Sequence, residues 1–403
     1  MFRSLWRLCT SILAIALAGA PSAASDIISP ELRSVAAAQN EFGFALFHRL
    51  LEAVPDANVI VSPTAVYVAL TTLYDGAHGP TKAAMRHGMD LGAMSDAALD
   101  EGAKSLVQSL SDNTQLTGGL GISDEFWAAK GLSFQSLFEF DCGLKFGTAF
   151  DECDFHSTRA EGMVNNWIRT RTNRTISGLV TRLAPDIQLL GTCAAHFDSQ
   201  WARPFNISNT YDHQFTAGPT SQVLVKMMRS SDRWSYNETP QFQAVRLGYL
   251  GQQYYMVVVL PRPGVSLRHL LATLTPQSWK DVDGQMQIER GDVELPRVQT
   301  QFGTTLNAPL TDLGMRPLFS NQANLRGMVI RSAKLGEIVH KTNLNISENG
   351  SEATDPSKVA MEMSLRPLPH FNMIVDRPFF CAIVDRATGA LLYLAAVYNP
   401  GRQ

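Results

Sequence analysis

Residues 348–380 read ENGSEATDPSKVAMEMSLRPLPHFNMIVDRPFF, and the organisation of the chain follows from how that stretch changes along its length. A run of small polar residues gives way to Met361, Met363 and Leu365, then to prolines, then to a strand. Asp355 followed by Pro356 breaks any helix interior or central strand, so the middle of the stretch cannot bury much of itself. Strongly patterned strands flank it. Upstream, residues 335–346 set His340, Thr342, Leu344 and Ile346 on one face and Val339, Lys341, Asn343 and Asn345 on the other, the period of a strand. Downstream, 379–385 and 390–398 make a hairpin that turns at 387–389. An exposed loop between rigid strands is a position where function is often carried. Its composition alone fits an inert surface connection equally well.

Further out, residues 31–54 carry Phe42, Leu46, Phe47, Leu50, Leu51 and Val54 at helical spacing, an amphipathic helix ended by Pro55 and Asp56. Residues 58–61 form a short buried strand, Ser62 and Pro63 open a helix that runs to Tyr74, and helical patterns recur near 95–111, 132–141 and 157–171. After Leu179 strands dominate: 192–201, a hairpin of 242–248 and 254–260, and a short strand at 292–296. Helices first, large antiparallel strands later and no βαβ alternation predict a single α+β domain. No internal repeat or linker divides it.

The 403 residues are 45% hydrophobic and 18% charged, a globular composition, and the formal charge of −3 points to neither nucleic acid nor an anionic membrane. Arg3 and Arg7, the apolar run 8–20 and the small residues at 21–24 read as a secretory signal peptide over residues 1–24, of bacterial type. The apolar run is too short to span a bilayer, and Cys9 precedes it, so it is not placed for lipidation. The expectation is a soluble, exported protein, extracellular or periplasmic, with a mature domain over 25–403. Among the remaining cysteines, Cys142 and Cys153 are the pair close in sequence and form the candidate disulfide; four free buried thiols are the alternative. The five Asn-x-Ser/Thr sequons at Asn173, Asn206, Asn237, Asn345 and Asn349 matter only in a eukaryotic secretory host.

Enzyme signatures are absent. The chain has no Gly-x-Ser-x-Gly, no His-Glu-x-x-His, no P-loop, no dinucleotide fingerprint and no Cys/His metal spacing, so no catalytic residue, metal or cofactor is expected. GGLG at 118–121 reads as a turn between strands. Because triads assemble in space rather than in sequence, a secreted hydrolase stays as a remote alternative.

Several segments, in order across nearly the whole mature chain, carry a resemblance to one known family. NVIVSP at 58–63, followed by Ala69, Leu70 and GAHGPT at 76–81, is similar to the family's first sheet B strand and second helix. NNWIRTRT at 165–172 resembles the C-terminal part of helix F, and FDSQWARPF at 197–205 the central sheet A strand with its breach tryptophan, Trp201. LGM at 313–315 with Phe319, Ser320 and 323–325 resembles the helix I region, ENGSEA at 348–353 the hinge, and DRPF at 376–379 with 388–400 the closing hairpin. The resemblance is to the serpin family, and it implies an α+β serpin fold with a large central mixed or antiparallel sheet A, sheets B and C, about eight to nine helices and an exposed reactive-centre loop over about 348–372. It also implies a monomer that acts on a serine, or cysteine, protease.

By that resemblance the hinge is Glu348, Gly350, Ser351, Glu352, Ala353, Asp355 and Pro356, and the shutter and breach hold Ser62, Cys193, Trp201 and His340. Cys193 stands where the family usually has asparagine, and Ala65 where it usually has serine. Read from the residues alone, Ser62 is a helix cap, and Trp201 and His340 are core side chains on strands. The cleavage point falls among Met363, Ser364 and Leu365: family spacing gives the bond after Ser364, residue type the bond after Met363, with the bond after Leu365 third. Pro367 disfavours trypsin-like cleavage after Arg366, which leaves a chymotrypsin-, elastase- or subtilisin-like target. An inhibitory serpin inserts its cleaved loop into sheet A as a new strand. Asp355 would send a carboxylate inward and Pro356 would remove a ladder donor, so a non-inhibitory serpin is the alternative. No basic helix stripe near 82–112 supports a heparin-like activator.

Overall fold

A computed structural model describes residues 28–172, 174–218, 220–351 and 371–401. Ser29 caps α1 (Pro30–Ala53), whose apolar stripe is buried from Leu32 to Leu50. β1 (Val59–Val61) leads into α2 (Pro63–Gly76), capped by the Ser62 side chain and buried on almost every face. There follow α3 (Gly79–Gly88), α4 (Asp96–Thr117), β2 (Gly118–Ala129), α5 (Ser136–Phe146), β3 (Ala149–Cys153), α6 (Ala160–Arg171) and β4 (Leu189–Ser199). The second half is β5 (Tyr211–Gly218), β6 (Ser221–Glu238), β7 (Phe242–Gly248), β8 (Tyr254–Pro261), α7 (Leu267–Thr273), α8 (Pro276–Gly284), β9 (Gln287–Pro296) and β10 (Val298–Thr305). A four-residue helix, α9 (Asn307–Leu310), precedes β11 (Leu335–Ile346), β12 (Phe371–Ile374), β13 (Phe379–Asp385) and β14 (Leu391–Val397).

Two sheets carry the fold. The five-stranded sheet has the order β10-β11-β4-β2-β3, and the nine-stranded sheet runs β1-β14-β13-β8-β7-β6-β9-β12 with β5 on β6. Most pairs are antiparallel, but β4 lies parallel to β11, β2 to β3 and β12 to β9. The main core fills the space between the sheets and under α1 and α2. A second, smaller core lies on the other face of the five-stranded sheet, where Val164 and Ile168 of α6 cover Trp127, Leu190, Ala194 and Val339. The two faces of β11 divide as its alternation predicts: Val339 joins the small core and Leu344 and Ile346 the large one.

Four sequence readings need correction. GGLG at 118–121 is not a turn but the start of β2, which pairs with β4 from Gly118 opposite Ser199 to Ala128 opposite Leu189. Glycine is needed there because the His196 ring lies across β2, and a Cβ on Gly121 would sit 2.1 Å from its Cε1. The strand read at 292–296 starts at Gln287, and the one read at 192–201 spans Leu189–Ser199. The disulfide is absent: Cys142 and Cys153 are both free and buried. Cys142 packs in the large core and Cys153 in the small one, so the five-stranded sheet keeps the two thiols apart.

Candidate functional site

The seam between β4 and β11 sets the geometry of the site. Their parallel ladder runs from Leu189 opposite Leu335 to Ala195 opposite Thr342, while β4 continues to Ser199 and β11 to Ile346. Beyond its end, the chain after β11 folds back on the end of β4. Ser347 N donates to Gly350 O at 2.8 Å, Gly350 bridges Gln200 in antiparallel sense, and Ser351 N donates to Ser199 O at 3.0 Å. Gly350 has φ +152, and a Cβ there would meet Ser199 O at 2.1 Å, so the close approach requires glycine.

Glu348, Gly350 and Ser351, the described residues of the expected hinge, are each held by a different group. The Glu348 carboxylate takes a forked contact from Arg297, with Nη2 at 2.7 Å and Nε at 2.9 and 3.0 Å, and accepts from Thr210 Oγ1 at 2.7 Å. Burial would raise this carboxyl, but the bonds from Arg297 and Thr210 hold it below the usual carboxylate range. Trp201 donates from its backbone N to Asn349 O at 2.8 Å and from its indole Nε1 to Ser347 O at 2.9 Å. Its ring stacks on Tyr249 with centroids 4.4 Å apart, and Tyr249 Oη lies 2.6 Å from Ser351 Oγ in a buried pair. Trp201 is thus a buried side chain that also donates two hydrogen bonds to the segment after β11.

Deeper in the seam lies the cluster around His340. Ser62 N donates to His340 Nε2 at 3.2 Å, which leaves Nδ1 to carry the proton, and Nδ1 lies 3.2 Å from Cys193 O. Cys193 Sγ is 3.4 Å from the same Nδ1 and 3.6 Å from Val339 O. The ring is satisfied by two backbone groups, so the weak thiol in place of an amide does not leave it without partners. Burial depresses His340 to about 4. Thr342 Oγ1 donates to Ile60 O at 3.1 Å and ties β11 to β1 in the other sheet.

Sequence reasoning missed Asp124. It lies opposite Cys193 in the β2–β4 ladder, 5% exposed, with no hydrogen-bond partner on either carboxylate oxygen among the described residues, and burial raises it well above the usual range. A carboxylate inside an apolar strand is a visible signal, but the neighbouring glycines disguised the strand. Ser62, Cys193, Trp201, His340, Glu348, Gly350 and Ser351 converge on this one seam. Glu352, Ala353, Asp355, Pro356, Met363, Ser364 and Leu365 lie outside the described residues.

A family model described as Serpin (serine protease inhibitor) matches residues 37–400. An uncharacterized serpin-like protein of Thermococcus kodakarensis is 29% identical, over 94% of this chain and 89% of its own length. A serine protease inhibitor of Rattus norvegicus is 28% identical, over 91% and 89%. Among solved structures, human thyroxine-binding globulin in complex with thyroxine superposes with a TM-score of 0.86 at 25% identity, covering 92% of this chain and 99% of that one.

Proposed function

Because this chain belongs to the serpin family, we propose that it is an exported suicide-substrate inhibitor of a serine protease with a hydrophobic primary pocket. The protease attacks the loop at Met363, Ser364 or Leu365 and is held as the acyl-enzyme while the freed strand enters between β4 and β11. The observation that carries this reading is the hinge. Gly350 and Ser351 have already begun antiparallel pairing with the end of β4, the geometry of strand addition within one chain. An inserted strand that continued the register of Gly350 on Gln200 would set Ala353 beside Phe197, Asp355 beside Ala195 and Ser357 beside Cys193.

Incubation of the purified protein with chymotrypsin, elastase and subtilisin tests this. The expected result is an SDS-stable complex with one of them, together with a loop-cleaved form that melts well above the intact protein. Cleavage with neither a complex nor a gain in heat stability would sink the inhibitor reading.

A second reading, a non-inhibitory carrier, is favoured by a cavity of about 310 Å³ between α1 and α7, lined by His48, Leu51, Arg268, Leu271 and Tyr398. The thyroxine-binding globulin likeness points the same way. Under that reading thyroxine binds the intact protein in equilibrium dialysis, and Leu51→Trp abolishes the binding.

A further inference from the structure

On the outer side of the breach, a cavity of about 210 Å³ is ringed by Arg203, Arg233, Arg246 and Arg386, with Trp201 and Trp234 also in its lining. We propose that it is a binding site for a ligand carrying several tetrahedral oxyanions, namely sulfate or phosphate esters.

The arginines come from four separate elements. Ser235 of β6 lies opposite Arg246 of β7 and opposite Ile288 of β9, so those side chains share one face of the nine-stranded sheet. Arg233, two residues along β6, points the same way, and Arg290 is its cross-strand neighbour on β9. Arg203 arrives on the segment after β4 and Arg386 on the turn between β13 and β14.

The local charge is only partly compensated. Arg203 pairs with Asp232 and Arg246 with Asp283, each at 2.6 Å, and Tyr255 Oη also donates to Asp283 at 2.7 Å. Arg386 is fixed by a 2.7 Å bond from its Nε to Gln252 O and lies 5.1 Å from the Tyr255 ring centroid. Arg233 and Arg386 have no carboxylate within ion-pair distance among the described residues, and Arg246 Nε is buried without a hydrogen-bond partner. A chain of net charge −3 thus gathers like charges where no acid balances two of them. Guanidinium forks match tetrahedral oxyanions in pairs, and several forks around one hollow suit a multiply charged ligand better than a single ion. The site also touches the hinge, because Trp201 lines the cavity and holds Ser347 O through its indole.

The test is calorimetric titration of the intact protein with sucrose octasulfate and with inositol hexakisphosphate. At low salt the expected Kd for at least one probe is about 10 μM, weakening as salt rises, with a change in tryptophan emission on binding. Arg233→Gln combined with Arg386→Gln should weaken binding about tenfold or more, without lowering the melting temperature of the free protein, since both side chains are exposed. Arg331→Gln, an exposed arginine that does not line the cavity, should leave it unchanged. A tenfold preference for one probe assigns the ester class, and similar affinities support the shared oxyanion chemistry. No binding of either probe below about 1 mM, or equal weakening by Arg331→Gln, would overturn the proposal. No protease enters this measurement, so its failure leaves the inhibitor reading untouched.

Discussion

At the scale of single residues, Glu348 shows how the chain after β11 is kept in place. Its side chain is 8% exposed and faces the Arg297 fork, so charge-assisted bonds hold the residue just before the turn onto β4. Glu348→Gln should cost about 1–3 kcal/mol, read as a lower melting temperature at neutral pH. Because the folded carboxyl titrates below its ordinary value, this contribution is present above the unfolded pKa and lost as pH falls through the folded one. The difference between the two proteins should therefore close in acid. Most residues of the site were legible as types in an order: Ser62 before Pro63, Trp201 after a strand, His340 on an alternating strand, Glu348 before glycine. Asp124 was not, because its significance lies in the strand beside it. Only the pairing of β2 with β4 puts its carboxyl next to Cys193.

At the scale of elements, the outcome turns on whether the loop can extend the pairing that Ser351 begins. If the loop continued the register of Gly350 on Gln200, Asp355 would enter beside Ala195, whose partner on β11 is Thr342, and Pro356 would withhold one donor. Burying that carboxylate costs several kcal/mol unless it is protonated or paired. Replacing Asp355 and Pro356 together by alanine should raise the rate of stable complex formation at least about tenfold, measured by stopped-time gels against the best protease found. If the double variant forms no more complex than the parent, these two residues are not what limits insertion. Element boundaries were legible where one face is apolar and the other polar, as in Leu335–Ile346. They were lost where glycines open a strand, as in Gly118–Ala129, because glycine is the same signal for a turn and for close packing against a neighbouring ring.

At the scale of the whole molecule, the His340 cluster joins both sheets: Ser62 follows β1, Cys193 belongs to β4, and Thr342 bonds to Ile60. His340 is held neutral, with its pKa moved from 6.5 to about 4 by burial. Between those values the unfolded chain binds a proton that the folded one refuses, so this group makes stability fall as pH falls. The loss from pH 7 to pH 4 should be on the order of 3 kcal/mol. Asp124, raised in the fold, acts in the opposite direction, so the measurement is the difference between the wild type and His340→Gln across that range. The variant should lose less stability on acidification, and parallel curves would refute the assignment.

By itself, the sequence determined the family, the α+β class and the long strand Leu335–Ile346. Periodicity, caps and ordered short motifs are local, and they survive in a linear string. Only the tertiary structure decided that Cys142 and Cys153 lie in separate cores, that Asp124 lies opposite Cys193, that Gly350 and Ser351 are seated on the end of β4, and that four dispersed arginines ring one hollow. Those facts depend on which strands become neighbours, and strand neighbours are chosen by the packing of two sheets around a shared core rather than by any single stretch of chain.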